Sequence, residues 1–375
     1  MEKRIGIIGG GPCGLACAIE LAQKGFDVDV YEKKNWPIYK VCGEGIMPSG
    51  HEILKGLGIF KYLDQSDFRE FEGIEYYQYG IPATKANFEK NKKGIAISRI
   101  KLSEALFLRC GDFSNIKLHP YTEIIDTKSL DHDRIILCEG IRGKIKSKLN
   151  LGSSINQNRK RMGAHAYFNI AWANKFIELH WGENIEAYIT PITSNKTQLT
   201  ILWDENKVKP RGKNYYFSIL KQFFPHLSQF TIDKMDGRVS SYGPFNTKSR
   251  CIQYGRYIFA GDDLYFLDGI TGEGITLSLK QAKLLSGLCF NEENYKAKVF
   301  NHISNYELFT RLSLLKSSYR NFRRFGLNLF QAFDKLFPYF LKLNDGTEEL
   351  TRKEKFIIKI FSIFINKDYR PNSIL

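Results

Sequence analysis

A chain of 375 residues has room for two or three domains, or for one large interleaved pair, and its 43% hydrophobic and 25% charged residues exclude a disordered polymer. The 55 Lys and Arg against 40 Asp and Glu leave a formal charge of +15, which favours anionic partners such as phosphorylated cofactors or acidic lipid headgroups; with no zinc-type pairs, RNP-like aromatic run or compact basic helix, nucleic acid is set aside. Seven scattered cysteines, an odd number without a C-x-x-C pair, fit a reducing cytoplasm, and no apolar run approaches the ~20 residues of a membrane-spanning helix.

Residues 4–8 read as a short buried strand, followed at once by Gly9-Gly10-Gly11-Pro12-Cys13-Gly14 and a helix-like run from Leu15 to Ala22. In this strand, turn and helix, Gly9 permits the tight turn, Gly11 lets backbone approach a pyrophosphate, and Gly14 lets helix and strand pack closely. The phosphates would sit at the positive end of the helix. Residues 26–31 alternate as a second strand and end in Glu32, about 20 residues after the glycines, where a carboxylate accepts ribose hydroxyls. That acid argues against a 2′-phosphate, and so against NADP in this site. A glycine turn of purely structural use is the blander alternative, and the following strand and acid speak against it.

Further along, residues 72–98 and 160–245 alternate apolar and polar positions as antiparallel strands do. Arg99 opens a helix pattern of Leu102, Ala105, Leu106 and Leu108. Ile136-Leu137-Cys138 runs into Glu139-Gly140. Tyr257 to Ala260 is a hydrophobic strand ending in Gly261-Asp262, and Thr271-Gly272-Glu273-Gly274-Ile275 leads into a helix from Thr276 to about Leu288, a second helix start with free amides. From about residue 295 the pattern is helical, with Leu308, Leu312, Leu315, Tyr319, Phe322 and Phe325 as a stripe and Arg311, Lys316, Arg320, Arg323 and Arg324 off it. A short apolar run, 356–365, follows. An ordinary helical cap and a basic interfacial surface on an anionic membrane both suit this region. The expected location is cytoplasmic, with any membrane contact peripheral and on the inner face.

The two glycine-rich segments, with Lys40-Val41-Cys42-Gly43-Glu44-Gly45 between them, resemble the geranylgeranyl reductase and p-hydroxybenzoate hydroxylase group of FAD proteins. The resemblance runs from the first strand to about residue 290. It implies a Rossmann-like α/β FAD-binding domain (1–71, 99–159 and 246–290) interleaved with an antiparallel-sheet substrate domain (72–98 and 160–245), then a helical segment (291–375). It also implies that Asp262 contacts the FAD ribitol, that Gly272, Gly274 and Ile275 face the pyrophosphate and flavin ring, that Arg99 reaches the phosphates, that the Cys42 to Glu44 segment lies beside the ring, and that Trp181 to Pro191 roofs the substrate cavity. Two departures stand out: Glu139 replaces the group's Asp, and Asp263-Leu264-Tyr265 replaces small residues and would crowd the flavin edge.

The function implied is an FAD-dependent oxidoreductase acting on a hydrophobic small molecule, lipid-like, isoprenoid or aromatic, by double-bond reduction or by hydroxylation, with NAD(P)H open as transient reductant. A halogenase is disfavoured because the lysine and paired-tryptophan motif of that relative is not evident. A non-catalytic flavin- or lipid-binding protein, suggested by Glu139 and Tyr265, is the alternative of another class. Cys42 is a candidate reactive thiol or plain packing, and Glu44 a candidate proton donor or a turn residue bonded to backbone amides. His180 and Tyr188 are candidate cavity residues or satisfied structural ones.

Overall fold

The computed structural model describes residues 4–154, 160–209, 214–245, 247–249, 251–287 and 292–348, with residues 212, 351 and 353. The run at 356–365 lies outside the described residues.

A six-stranded sheet carries the glycine turn, in the order Gln253–Tyr254, Tyr257–Phe259, Arg134–Leu137, Arg4–Ile8, Asp27–Tyr31, Ile116–His119. Its pairs are parallel except for the short edge pair of Gln253–Tyr254 with Tyr257–Phe259. Helices cover a parallel sheet on both faces, which is why its central strands read as apolar runs: Ile5, Ile7, Ile135, Ile136 and Leu137 are fully buried. The helix Pro12–Ala22 packs against both Arg99–Cys110 and Gly274–Gly287 beside it. Pro12 opens the first, where its missing N–H costs nothing. On the helix from Arg99, Leu102, Ala105 and Leu106 are buried as the spacing predicts, but Leu108 is exposed on the outer side.

A seven-stranded sheet stands beside this unit, in the order Met235–Tyr242, Arg161–Phe168, Thr197–Asp204, Ile185–Pro191, Phe176–Trp181, Gly73–Gln78, Ile81–Asn87. It is mixed and not wholly antiparallel. Phe176–Trp181 lies parallel to Gly73–Gln78 because the two belong to separate stretches of chain, with no hairpin turn to force them antiparallel. Alternation along the strands splits the two faces. Ala187, Ile189, Leu199, Ile201 and Trp203 pack against the helix Tyr215–Phe223, while Leu179, Trp181 and Leu202 pack on the other face with Tyr76, Phe245 and Ile270. That helix interrupts a region expected to be all strand. Its aromatic residues favour strands by propensity, but Tyr216, Ile219 and Leu220 fall on one helical face and are buried.

Two small sheets complete the core: Gly45–Ile46, Gly94–Ile97 and Phe68–Phe71, and Gly152–Ser154, Thr247–Ser249 and Tyr265–Phe266. Gly94–Ile97, in the stretch read as substrate domain, thus pairs with strands outside it.

The C-terminal helices Glu292–Ser318, Arg320–Ala332 and Leu336–Asp345 close over the second sheet. Their basic residues do not form one solvent-facing surface. Arg323 is fully buried, its Nη1 donating to the carbonyls of Gly182, Lys316 and Ser317. Lys316 is buried too, its ammonium 4.6 Å from the ring centres of Phe330 and Phe340, and burial pushes its pKa down to about 8. Tyr319 and Phe325, expected on the apolar stripe, are instead exposed, because the chain leaves helical geometry at Tyr319 and the next helix starts in a new phase. Among the described residues no helix is long and apolar enough to cross a membrane.

Candidate active site

Close packing surrounds two glycines of the turn and leaves a third open. Gly9 has φ +105°, and a Cβ there would stand 2.3 Å from the Cys138 carbonyl oxygen. A Cβ on Gly14 would meet the Gly9 oxygen at 2.0 Å, so helix and turn touch backbone to backbone. At Gly11 a Cβ would find only Nη2 of Arg99, at 3.6 Å. The space in front of Gly11 is open.

Glu32 is buried beside this turn, one oxygen accepting from the Gly10 amide at 2.8 Å and the other from the Lys34 amide at 3.0 Å. Trp36 braces the same turn, its Nε1 donating to the Gly10 carbonyl at 2.9 Å. Arg99, nine-tenths buried, has an Nε with no hydrogen-bond partner.

In front of the turn a cavity of about 670 Å³ runs from the glycine turn to the second sheet. Gly9, Gly11, Glu32, Cys42, Glu44, Arg99, Asp262, Gly272, Gly274 and Ile275 all border it. Two residues singled out from sequence stand behind its wall. Gly14 packs under the turn, and Gly261 has φ +63° and faces the Cys13 side chain. At the far end the walls become apolar, with Phe71, Ile74, Tyr76, Ile177, Leu179 and Leu202. From the segment Trp181 to Pro191, expected to roof this chamber, Tyr188 and Thr190 reach it, joined by Ile177 and Leu179 just before it, whereas Trp181 packs behind against Tyr76. Tyr188 donates to the Ile270 carbonyl at 2.7 Å. His180 lies outside the cavity, bonded to His226 and Glu178.

Glu44 is the most perturbed acid on the cavity wall. It is 1% exposed and holds φ +57°. Its Oε1 accepts from the Arg99 amide at 2.7 Å and from the Tyr167 hydroxyl, and its Oε2 has no partner. Burial pushes its pKa up to about 7, against the lowering effects of Tyr167 and Arg99. It therefore titrates near neutrality, with one oxygen free to take up or release the proton. Cys42, two residues away, is half-buried, and desolvation holds its thiol above the usual range, so a thiolate nucleophile is disfavoured.

Both departures from the expected motif turn away from the cavity's centre. Glu139 borders the cavity, but its two oxygens accept from the Lys144 and Ile145 amides and cap the short helix Lys144–Lys148, a reach that the longer side chain permits. The residues expected to crowd the flavin edge point into the core: Asp263 pairs with Lys146 at 3.0 Å, and Tyr265 meets Tyr306 edge-on at 6.1 Å. Asp262 has a partner not foreseen, Lys40, whose Nζ lies 2.6 Å from its carboxylate.

Residues 7–37, the turn and second strand, match the family described as an NAD(P)-binding Rossmann-like domain. Over 313 residues, 76% of this chain, the sequence is 21% identical to squalene monooxygenase of Mus musculus, and the match spans 54% of that protein. The chain thus spans about half the length of this relative. The structure of a flavoprotein/dehydrogenase from Cytophaga hutchinsonii superposes with a TM-score of 0.79 at 14% identity, covering 96% of this chain and 98% of that one. A flavin-dependent brominase superposes with a TM-score of 0.79 at 16% identity, over 96% and 97% of the two chains. This chain has the fold of these flavoproteins. Its glycine turn, its Gly272 to Ile275 segment and its apolar chamber border one cleft.

Proposed function

We propose that the chain is an FAD-dependent oxidoreductase that holds FAD non-covalently and oxygenates a hydrophobic small molecule, with NAD(P)H as transient reductant. The observation that carries this reading is the single cavity joining a phosphate-binding turn to an apolar chamber. FAD suits the groups present. Open space faces Gly11, Arg99 offers a buried unpartnered donor, Glu32 offers acceptors, and the helix Gly274–Gly287 starts at the wall with free amides. When bound, the flavin supplies the transfer of electrons to and from the substrate. The chain's own part is to orient both molecules, to exclude water with Phe71, Ile74, Ile177 and Leu202, and to hold a proton at Glu44. The non-catalytic alternative loses its motive, since Glu139 and Tyr265 do not obstruct the cleft.

The purified protein is expected to be yellow and to release FAD on heating. Release of NAD alone, with no flavin absorbance after incubation with FAD, would overturn the reading. Reduction by NAD(P)H, followed by reoxidation with oxygen uptake coupled to an apolar substrate, identifies the oxygenase.

Double-bond reduction is the second reading, and the protonated Glu44 favours it, because adding hydrogen across a double bond needs a proton as well as a hydride. Glu44→Gln keeps an acceptor for the Arg99 amide but has no acidic proton. It is expected to slow such a reduction by about 10²–10⁴-fold while leaving flavin content unchanged. In the wild type the acid form is lost as pH rises through about 7, so the rate falls across that window. Tyr167→Phe removes a bond that lowers the Glu44 pKa, and the inflection should move upward. An unchanged pH profile in Glu44→Gln would remove Glu44 from the chemistry.

A further inference from the structure

Directly beneath the glycine turn, three thiols converge from two elements. Cys13 and Cys17 stand four residues apart on the helix Pro12–Ala22, and so on one face, while Cys138 follows the strand Arg134–Leu137. Their sulfurs all lie within 4.8 Å of one another. Three sulfurs bound at ~2.3 Å to one ion stand roughly 4 Å apart, so small side-chain rotations bring this set into a trigonal shell. Cys17 is fully buried, and Cys13 and Cys138 reach the cavity wall, which gives an ion a route in.

A second observation points to the same place. Tyr295 is 3% exposed and its hydroxyl has no hydrogen-bond partner. Tyr295 belongs to the same buried core cluster as Cys13 and Cys17, and Cys138 packs against that cluster. A phenol O–H beside a thiolate is a donor in search of an acceptor. Cys13 Sγ has one further weak contact, with the Ser278 carbonyl at 3.8 Å. No assigned step of the flavin chemistry uses any of these groups.

We propose that Cys13, Cys17 and Cys138 form a three-thiolate site for a soft, filled-shell cation, copper(I) being the best match. Among the described residues the converging ligand atoms are all sulfur, with no carboxylate oxygen or imidazole nitrogen in the set, and such a set selects a soft ion over a hard one. On binding, the thiols release their protons to solvent and three sulfur–copper bonds form, with no change of oxidation state. The Tyr295 hydroxyl then donates to a coordinated sulfur, a partner that would orient a ligand.

Copper(I) titrated against a competing chelator, with and without added FAD, tests this. The wild type is expected to retain one copper per chain, and the bound ion should protect Cys13 and Cys138 from alkylation, read by peptide mass spectrometry. Cys17→Ser should lower copper retention at least ten-fold. Cys110→Ser, at a buried thiol bonded to the Leu15 carbonyl, should not. Failure of the wild type to retain copper against the chelator, or equal retention in Cys17→Ser, would show that the three thiols only fill space. The alkylation readout uses the wild type alone, so it stands even where a variant folds poorly.

Discussion

Gly11→Val is expected to yield a protein that folds normally and holds no flavin. The position has ordinary extended backbone, φ −72° and ψ −179°, which a branched residue adopts without strain. An added Cβ would touch nothing closer than Arg99 Nη2 at 3.6 Å, an ordinary contact, so the cost to folding should stay within about 0.5 kcal/mol. The added methyls would occupy the space where a pyrophosphate must approach. Gly14→Val is the contrasting control, because its Cβ would overlap the Gly9 oxygen at 2.0 Å and the fold itself should fail. Flavin-to-protein ratio and thermal unfolding, measured together, decide it. Equal flavin occupancy in Gly11→Val and wild type would mean that the phosphates lie elsewhere.

Arg161→Met should cost a large part of the protein's stability while leaving a chain that can still fold. The guanidinium is 2% exposed and bridges two buried carboxylates, Glu186 at 2.7 Å and Asp268 at 2.9 Å. Removing it leaves two uncompensated acids inside the protein, a loss of about 3–5 kcal/mol. Desolvation already raises the Glu186 pKa in the presence of the arginine. Without it, the Glu186 carboxyl is stabilised further in the protonated form. Its folded pKa then exceeds the unfolded one by more, so the variant is least stable at high pH and recovers as pH falls towards the ordinary carboxylate range. Adding Glu186→Gln should return part of the loss. Urea unfolding at two pH values checks each step, and a penalty that ignores pH would rule out stranded carboxylates as its cause. The site also depends on this cluster. Asp268 precedes Gly269 and Ile270 of the cavity wall, its Oδ1 accepts from the Ile270 amide at 3.0 Å, and its backbone carbonyl accepts from the Tyr306 hydroxyl at 2.6 Å.

What the sequence revealed was what is encoded within a few residues. Gly9, Gly11, Gly14 and Glu32 belong to one strand, turn, helix and strand, so spacing alone predicts their places. Asp262 and Gly274 were legible for the same reason, each marking the end of a strand or the start of a helix. Contacts between distant residues left no local trace. Tyr167 bonds Glu44, Lys40 pairs with Asp262, and Cys138 joins Cys13 and Cys17 across more than a hundred residues. A hydroxyl or an amine on an alternating strand or an irregular loop reads as solvent-facing until the fold shows what it meets. Lys316 and Arg323 misled for the converse reason, since positive charge off an apolar stripe normally marks a wet surface, and here aromatic rings and free helix-end carbonyls receive it. The helix Tyr215–Phe223 was hidden by aromatic residues that suit strands equally well.

The parallel pairing of Phe176–Trp181 with Gly73–Gln78 sets the order in which the molecule can assemble on the ribosome. Residues 73–87 emerge about a hundred positions before their partner strand, and meanwhile Gly73–Gln78 has only its hairpin neighbour Ile81–Asn87. The first sheet waits longer still, because Tyr257–Phe259 must pair with Arg134–Leu137. Neither sheet is whole until most of the chain has been translated, and closing such long loops is slow. The nascent protein therefore presents an unfinished cleft until the helix Gly274–Gly287 has emerged, and capture of the proposed dinucleotide comes only after that.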